Sequence, residues 1–183
     1  MITRKTGRLR LREIKEGDIE QIHALNSLPE VDKYNTLGIP ENMEETVRHF
    51  QRWTSHMQGA ERKIYVFHLS DLQNNFIGLF GITIGRPKYR NAEIWYKIHP
   101  QHWNKGYATE TVINILDFCF NDLQLHRVEA GCATENIASY KVLEKCGFTR
   151  EAHTRQLLPV RGKWLDNFGY AILENDYFNQ IKK

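Results

Sequence analysis

The sequence predicts one mixed α/β domain, and two features of its hydrophobic pattern support that prediction. Between residues 63 and 100 the apolar runs are short, β-branched and aromatic, as in "KIYVFHL" (63–69). From residue 105 the apolar spacing becomes helical, and strand and helix then alternate as far as residue 146. A chain of 183 residues is long enough to bury about 70% of its unfolded surface, so we expect residues 1–183 to form a single domain.

Composition limits the class of protein. The chain is 41% hydrophobic and 26% charged, as in a globular protein, and no run approaches the ~18 apolar residues of a membrane span. The basic start, "MITRKTGRLRLRE", has no apolar stretch behind it and does not resemble a secretory signal. We therefore expect a cytoplasmic protein that does not enter a membrane.

Strands are predicted where apolar residues alternate or form β-branched runs. "RLRLRE" (8–13) alternates strictly, and the two runs at 63–69 and 76–85 are expected to form a hairpin across the turn-like "SDLQNN". A further strand is expected in "AEIWYKIHP" (92–100). The remaining strands are expected at 126–133, 148–157 and 163–173.

Four helices are predicted from helical spacing. Asp18 with Gln21 looks like a capping box opening the first helix, and a second helix is expected at 43–57, after a loop at 29–42. A third runs from 105 to about 120 and a fourth from 137 to 146, where Gly147 provides a left-handed cap and Phe148 packs back on Leu143. About seven mostly antiparallel strands, with at least one parallel crossover between 92 and 146, complete the prediction.

Several classes of site have no support in the sequence. Cys119, Cys132 and Cys146 are too scattered for a disulfide framework, and His99 with His102 lacks a further ligand nearby, so we predict no metal. The chain contains no G-x-x-x-x-G-K-[ST] motif and no dinucleotide fingerprint. A net charge of +3 is spread along the chain, which makes nucleic acid an improbable partner and is equally compatible with a small polyanionic ligand.

One stretch suggests an anion site. In "HWNKGYATET" (102–111) Gly106 and Ala108 stand where a helix begins, and Lys105 adds a charge beside them. The unpaired N–H groups of a helix N-terminus attract phosphate, and small residues let the backbone approach it. The segment predicts a phosphate or pyrophosphate site, with a simple chain-turning loop as the alternative.

Two motifs resemble a known family. "AEIWYKIHPQHWNKGYATETV", followed about 30 residues later by "ENIASYKVLEKCGF", is similar to the GNAT superfamily of acyl-CoA-dependent N-acetyltransferases. The resemblance is greatest to the branch of ribosomal-protein N-terminal alanine and serine acetyltransferases. It implies a GNAT-like domain in which two central parallel strands splay apart, and direct acetyl transfer from acetyl-CoA to a primary amine, without a covalent enzyme intermediate on Cys146.

The resemblance also implies how acetyl-CoA is held. Its pantetheine arm lies between the strands matching 92–99 and 126–133, where an N–H near Ile98 serves as oxyanion donor. Asn136 matches an asparagine that contacts the pantetheine arm, although helix capping is an alternative role. The pyrophosphate lies on the loop and helix start comprising Trp103, Asn104, Lys105, Gly106, Tyr107, Ala108 and Thr109. Trp103 departs from the usual Gln or Arg, which puts any polar contact from that side chain in doubt.

Two residues are catalytic candidates by the same resemblance. Many relatives place a tyrosine near the CoA sulfur, but its position here is Leu143, and Ser139 matches the serine of the ribosomal branch that meets the thiolate. Glu93 is the candidate base, with a water path as the alternative route for the proton of the amine. The alternatives are a surface hydroxyl for Ser139 and a solvated strand-start carboxylate for Glu93.

The acceptor is left open between a protein N-terminus and a small molecule. Leu157 and Leu158 replace a glutamate of the ribosomal enzymes, and Trp95 replaces a frequent glycine, which narrows the expected acceptor pocket. Trp53, Trp164 and Tyr170 are candidates for lining that pocket. Other interpretations are a non-catalytic CoA-binding module and, less favoured, a nucleic-acid-binding domain that uses the arginines of "RKTGRLRLR". The predicted edge strands leave room for a homodimer.

Overall fold

A single open sheet organises the chain. The computed structural model describes residues 1–55, 57 and 62–181. Within these ranges, eight strands lie in the order β1-β2-β3-β4-β5-β6-β8-β7, antiparallel except for β5 with β6. The strands are β1 (Thr3–Lys5), β2 (Leu9–Glu13), β3 (Ile64–Asp71), β4 (Phe76–Ile84), β5 (Asn91–Ile98), β6 (Arg127–Ala133), β7 (Thr149–Val160) and β8 (Lys163–Leu173).

Helices cover both faces of the sheet. They are α1 (Ile19–Asn26), α2 (Pro29–Asp32), α3 (Met43–Thr54), α4 (Tyr107–Asp117), α5 (Ile137–Lys145) and α6 (Glu174–Ile181). On one face, α1 and α3 bury Ile22, Leu25 and Phe50 against β3 and β4. On the other face, α4 packs its apolar stripe on the central strands. None of the helices in the described ranges is long and apolar enough to cross a membrane.

Burial follows the predicted periodicities closely. Leu9 and Leu11 are both 0% exposed, as the alternation in β2 predicts. Along α4, Val112, Ile115 and Leu116 are buried on one face, which confirms the 3.6-residue spacing. Helix α5 ends as predicted: Gly147 has φ +87°, its N–H donates to Glu144, and the N–H of Phe148 donates to Leu143.

The central parallel pair separates after three residue pairs. Asn91, Ala92 and Glu93 of β5 lie opposite Arg127, Val128 and Glu129 of β6, and the pairing stops there. Beyond Glu93, β5 continues to Ile98 while paired only to β4. The expected splay is therefore present, with its open end directed toward the start of α4.

The structure corrects several boundaries. Asp18 precedes α1 but does not cap it with its side chain. Its carboxylate accepts two 2.7 Å hydrogen bonds from Arg12, because a buried carboxylate is stabilised best by a bidentate cation. Gln21, its expected partner, bonds His68 instead.

Short or terminal elements account for the other differences. The described residues form eight strands and six helices rather than seven and four, because β1 has only three residues and α2 only four, and α6 follows β8 without an intervening turn. The expected loop at 29–42 contains α2, and the third predicted helix begins at Tyr107 and continues past Asp117 as a π-helical turn, Phe118–Asp122. Strand β5 ends at Ile98, before Pro100, and α3 ends at Thr54. Residue 56 of the predicted helix 43–57 lies outside the described residues.

Candidate active site

The loop before α4 presents a row of backbone donors. Asn104 and Gly106 both have positive φ, +59° and +78°, and Gly106 is the N-cap of α4. Within the described chain, the N–H groups of residues 104–109 have no backbone acceptor. Lys105 is exposed beside them. Free N–H groups, the helix dipole and a lysine together make a site that fits a pyrophosphate.

Arg8 fastens this loop to the amino-terminal hairpin. Its guanidinium donates to the carbonyl of Lys105 over 2.9 Å and to the carboxylate of Glu110 over 2.6 Å, and it lies over the Tyr107 ring. Glu110 also accepts from the hydroxyl of Thr6. Glu110 in the first turn of α4 would repel a phosphate, and the guanidinium offsets that charge. The sequence prediction missed this pair because its members are 102 residues apart.

A groove continues from the loop along α4. It has a volume of about 690 Å³ and is lined by residues of the hairpin, α4, α5 and α6, including Arg8, Gly106, Thr109 and Lys145. Of its two basic side chains, Arg8 contacts the loop directly through the carbonyl of Lys105. The groove is large enough to hold part of a nucleotide next to the pyrophosphate position.

The open end of the splay offers unpaired backbone. Because N–H groups alternate along a strand and those of β5 residues 97 and 99 point toward β4, those of Tyr96 and Ile98 point toward β6. The Ile98 carbonyl accepts from the indole nitrogen of Trp103 over 2.7 Å. Trp103 is 45% exposed. Through this hydrogen bond, the side chain that replaces Gln or Arg makes its polar contact with the end of β5. The gap can accept an extended ligand as an additional strand.

Asn136 and Ser139 open α5 beside this gap. The Asn136 side chain accepts from the Ser139 N–H over 3.2 Å, so its capping role is observed. Asn136 still has a free amide N–H₂ for a ligand. Ser139 is half-buried, and its hydroxyl lies 3.0 Å from the hydroxyl of Tyr96 on β5. Ser139 is therefore no isolated surface hydroxyl, and Tyr96, which the sequence analysis did not single out, joins it at the candidate site.

The cysteine thiols near the gap are held protonated. Burial raises the pKa of Cys132 to about 11 and that of Cys146 to about 12. Cys119 lies deeper, and burial raises its pKa to about 12 as well. A thiol needs a lowered pKa to act as a nucleophile at neutral pH, so these three environments disfavour a covalent cysteine intermediate. The cysteines serve as small apolar core residues.

Glu93 lies where β5 and β6 part. It is exposed and forms the last residue pair of the two strands, opposite Glu129. Loss of solvation, followed by the charge of Glu129, raises the pKa of Glu93. Glu129 itself is held by Arg127 and by Asn91 at 2.9 and 3.0 Å. A carboxylate with a raised pKa at this position is suited to accept a proton from an amine.

An aromatic wall adjoins Glu93 on the α1–α3 face. Trp95 follows Glu93 by two residues and therefore shares its face of β5, and the ring of Trp95 packs on Trp53 of α3 at 5.6 Å. Its indole lies over Gly81 of β4, where a Cβ would be 2.1 Å from the ring. Trp95 thus narrows this face, as the sequence suggested. Further along β5, Lys97 donates to Asn26 over 2.6 Å, and burial lowers its pKa to about 8.

Two expected pocket residues lie elsewhere. Tyr170 is 2% exposed in the core on the α4 face, where its hydroxyl donates to Glu144. Trp164 is 62% exposed near the β7–β8 turn. Leu157 is also exposed, on the long edge strand β7. Of the four aromatic residues expected at the pocket, Trp53 and Trp95 come together.

The amino-terminal arginines are engaged within the protein. Arg4 pairs with Asp117 and Asp122, Arg8 with Glu110, and Arg12 with Asp18, while Arg10 donates to Asn74. These contacts occupy the guanidinium groups that would have to reach phosphates in a nucleic-acid-binding surface. The nucleic-acid interpretation loses its main support. In the described part of the chain, no cluster of three or more potential metal ligands occurs.

Comparison with known proteins establishes the family. Residues 8–149 match the acetyltransferase (GNAT) domain, which covers most of the chain. The chain therefore belongs to the GNAT family of N-acetyltransferases, with the single α/β domain typical of that family. It is an acetyl-CoA-dependent acyltransferase, as the two motifs predicted.

Individual relatives span nearly the whole chain. An uncharacterized N-acetyltransferase of Bacillus subtilis (strain 168), YoaA, is 33% identical over 93% of this chain and 96% of its own length. The spermidine N(1)-acetyltransferase of Vibrio cholerae is 31% identical over 94% of this chain and 96% of its own. A crystal structure of spermidine N-acetyltransferase from Vibrio cholerae with CoA and spermine superposes with a TM-score of 0.85 at 29% identity, covering 95% and 100% of the two chains. The narrower placement in the ribosomal branch remains a prediction.

Proposed function

We propose that this protein acetylates a primary amine of a small molecule, with Glu93 as general base and Ser139 as the donor that meets the departing sulfur. The observation that carries the proposal is the position of Glu93, at the last pair of β5 and β6 and on the same face as Trp95. This places a proton acceptor of raised pKa where the two strands open.

Each chemical requirement has a candidate group. The N–H groups of Tyr96 and Ile98 point into the gap and are the candidates to polarise the thioester carbonyl. Glu93 accepts the proton that the attacking amine loses. Ser139 donates a hydrogen bond to the sulfur as the carbon–sulfur bond breaks. Glu93 returns the proton of the amine to solvent, and the CoA thiolate that Ser139 stabilises takes one proton from solvent, so the direct transfer balances.

The loop and groove hold the donor. The N–H groups of residues 104–109, with Lys105, bind the pyrophosphate of acetyl-CoA, and Asn136 contacts its pantetheine arm through the amide that capping leaves free. Arg8 and Lys145 line the continuing groove, which accommodates the nucleotide end. The same residues would serve a non-catalytic CoA-binding protein, so turnover is the property to be tested.

A polyamine is the first acceptor class to test. Two carboxylates, Glu93 and Glu129, attract a second positive charge on the acceptor, and the adjacent indoles of Trp53 and Trp95 offer a cation–π surface beside them. The similarity to spermidine acetyltransferases supports the same class. The narrowing by Trp95 disfavours a bulky peptide terminus.

The test is thiol release from acetyl-CoA with spermidine and other polyamines, amino acids, aminoglycosides, and peptides that begin with Ser or Ala. The expected result is release with polyamines well above an acceptor-free blank, reduced at least ~100-fold in Glu93→Gln. The matched control is Glu20→Gln, an exposed glutamate on α1. Release only with peptides would replace the acceptor class. Release equal to blank throughout, with acetyl-CoA bound, would favour the non-catalytic alternative.

A further inference from the structure

Two hydroxyl groups from different elements meet beside the splay. The Tyr96 hydroxyl, on β5, lies 3.0 Å from the Ser139 hydroxyl and 3.1 Å from the Ser139 carbonyl oxygen, at the first turn of α5. Tyr96 belongs to the part of β5 that has left β6. The backbone N–H of Tyr96 points into the gap, while its hydroxyl contacts Ser139 on α5. Tyr96 therefore links the gap to Ser139.

Proton counting limits what this pair can do. A tyrosine hydroxyl has one proton and two acceptors here, and the serine hydroxyl also has one proton. When nothing else is near, Tyr96 donates to the Ser139 carbonyl and Ser139 donates to Tyr96. When an anionic acceptor lies beside Ser139, the serine hydroxyl donates to that acceptor. The Tyr96 hydroxyl then donates to the serine hydroxyl oxygen.

We propose that Tyr96 is a positioning residue for acetyl transfer, which donates to the Ser139 hydroxyl so that the serine proton is directed at the departing CoA sulfur. This inference rests on the role proposed for Ser139. Hydrogen bonds in such a chain polarise one another, so a serine that accepts from Tyr96 is a better donor to a thiolate. The helix N-terminus at Ser139 adds a favourable partial positive charge.

The surroundings keep Tyr96 in the required form. Burial raises the pKa of Tyr96 well above its usual value, against the effect of the Ser139 hydrogen bond, so the phenol stays protonated over the working pH range. The thiols of Cys132 and Cys146, the other ionisable groups that affect it, are themselves protonated because burial raises their pKa values. Leu143, one turn further along α5, is buried in the core and offers no hydroxyl to the site.

The first experiment measures the thiol of bound CoA and needs no acceptor. The probe is CoA itself, and the thiolate is titrated by ultraviolet difference absorbance in the wild type, Ser139→Ala, Tyr96→Phe and Tyr140→Phe. Phenylalanine at 96 keeps the ring that stacks on Phe80, and Tyr140 contacts Phe168 rather than Ser139. The wild type should lower the thiol pKa relative to free CoA. Both Ser139→Ala and Tyr96→Phe should raise it toward the free value, whereas Tyr140→Phe should match the wild type.

Kinetics supply the second readout. Tyr96→Phe should lower kcat about 3- to 10-fold, the size expected for one hydrogen bond, with little change in KM for acetyl-CoA. In the Ser139→Ala background, Tyr96→Phe should lower kcat no further, because the serine hydroxyl through which Tyr96 acts is absent.

The outcomes separate the two proposals. A shift that is lost in Ser139→Ala but unchanged in Tyr96→Phe would overturn the role of Tyr96 and leave that of Ser139. A bound thiol with the pKa of free CoA in the wild type would overturn both, whatever the acceptor proves to be. Additive losses of kcat in the double variant would also contradict the coupling.

Discussion

Glu93 and Glu129 lie directly opposite each other in the last residue pair that β5 and β6 form. Two carboxylates on the same face of a parallel pair repel one another, so the charge of Glu129 disfavours the ionised form of Glu93. Glu129 is bound by Arg127 and Asn91, whereas Glu93 has no such partner among the described residues, and loss of solvation followed by the charge of Glu129 raises the pKa of Glu93. The arrangement predicts how the rate depends on pH.

The first prediction concerns that dependence. A base of raised pKa loses activity as pH falls through that pKa, so kcat/KM should show an acidic limb. Glu129→Gln removes a charge that raises the pKa of Glu93 and should therefore move the acidic limb to lower pH. Glu93→Gln should remove the acidic limb altogether. The measurement is the pH profile of thiol release, with Glu151→Gln, another carboxylate bound by Arg127, as control. A limb that stays in place in Glu129→Gln would contradict the coupling.

The second prediction concerns Arg8, which joins the loop before α4 to Glu110. Arg8→Met should weaken acetyl-CoA binding about 5- to 30-fold, because the Lys105 carbonyl loses its donor and Glu110 is left unpaired near the phosphates. Adding Glu110→Gln should recover part of that loss by removing the repulsion. Calorimetric titration with acetyl-CoA measures both effects. Arg10→Met is the control, since Arg10 donates to Asn74 in the β3–β4 turn. An equal loss of acetyl-CoA affinity in Arg10→Met would show that the effect of Arg8→Met is not local.

The third prediction concerns Gly106. Its φ of +78° costs any other L-residue about 1–2 kcal/mol, and a larger side chain would also fill the approach of the phosphate. Gly106→Ala should weaken acetyl-CoA binding, and Gly106→Trp should abolish it. Gly162→Ala is a matched control, because Gly162 has φ +71°, lies in the β7–β8 turn, and has open space where a Cβ would stand. It should lose a similar amount of stability while its affinity for acetyl-CoA stays at the wild-type value.

The fourth prediction concerns acid stability. Burial holds the pKa of His68 near 4, below its usual 6.5, so the unfolded chain binds a proton more readily than the folded one between those values. Stability should therefore fall as pH drops from about 6.5 to 4, by up to about 3 kcal/mol from this residue. His68→Gln should flatten that part of the curve in denaturant unfolding. An equally steep curve in His68→Gln would refute the assignment.

Elements with strong local patterns were predicted well. The alternation in "RLRLRE", the stripe along α4 and the glycine cap after α5 appear in the structure within a few residues of their expected places. These features depend on neighbours in the chain, so periodicity and turn chemistry are sufficient to find them. Asp18 shows the opposite case. Its local sequence favours a helix cap, but Arg12 is a stronger partner for a buried carboxylate.

By itself, the sequence determined the α/β class, the helix that begins after Gly106 and the two motifs of the GNAT family, because each depends on consecutive residues. Only the tertiary structure decided that Arg8 clamps Glu110, 102 residues away, and that Tyr96 meets Ser139, 43 residues away. No local pattern encodes those pairs. They form because the antiparallel sheet brings the amino-terminal hairpin to α4, and because Tyr96, unlike its neighbour Trp95, lies on the face of β5 that packs with α4 and α5.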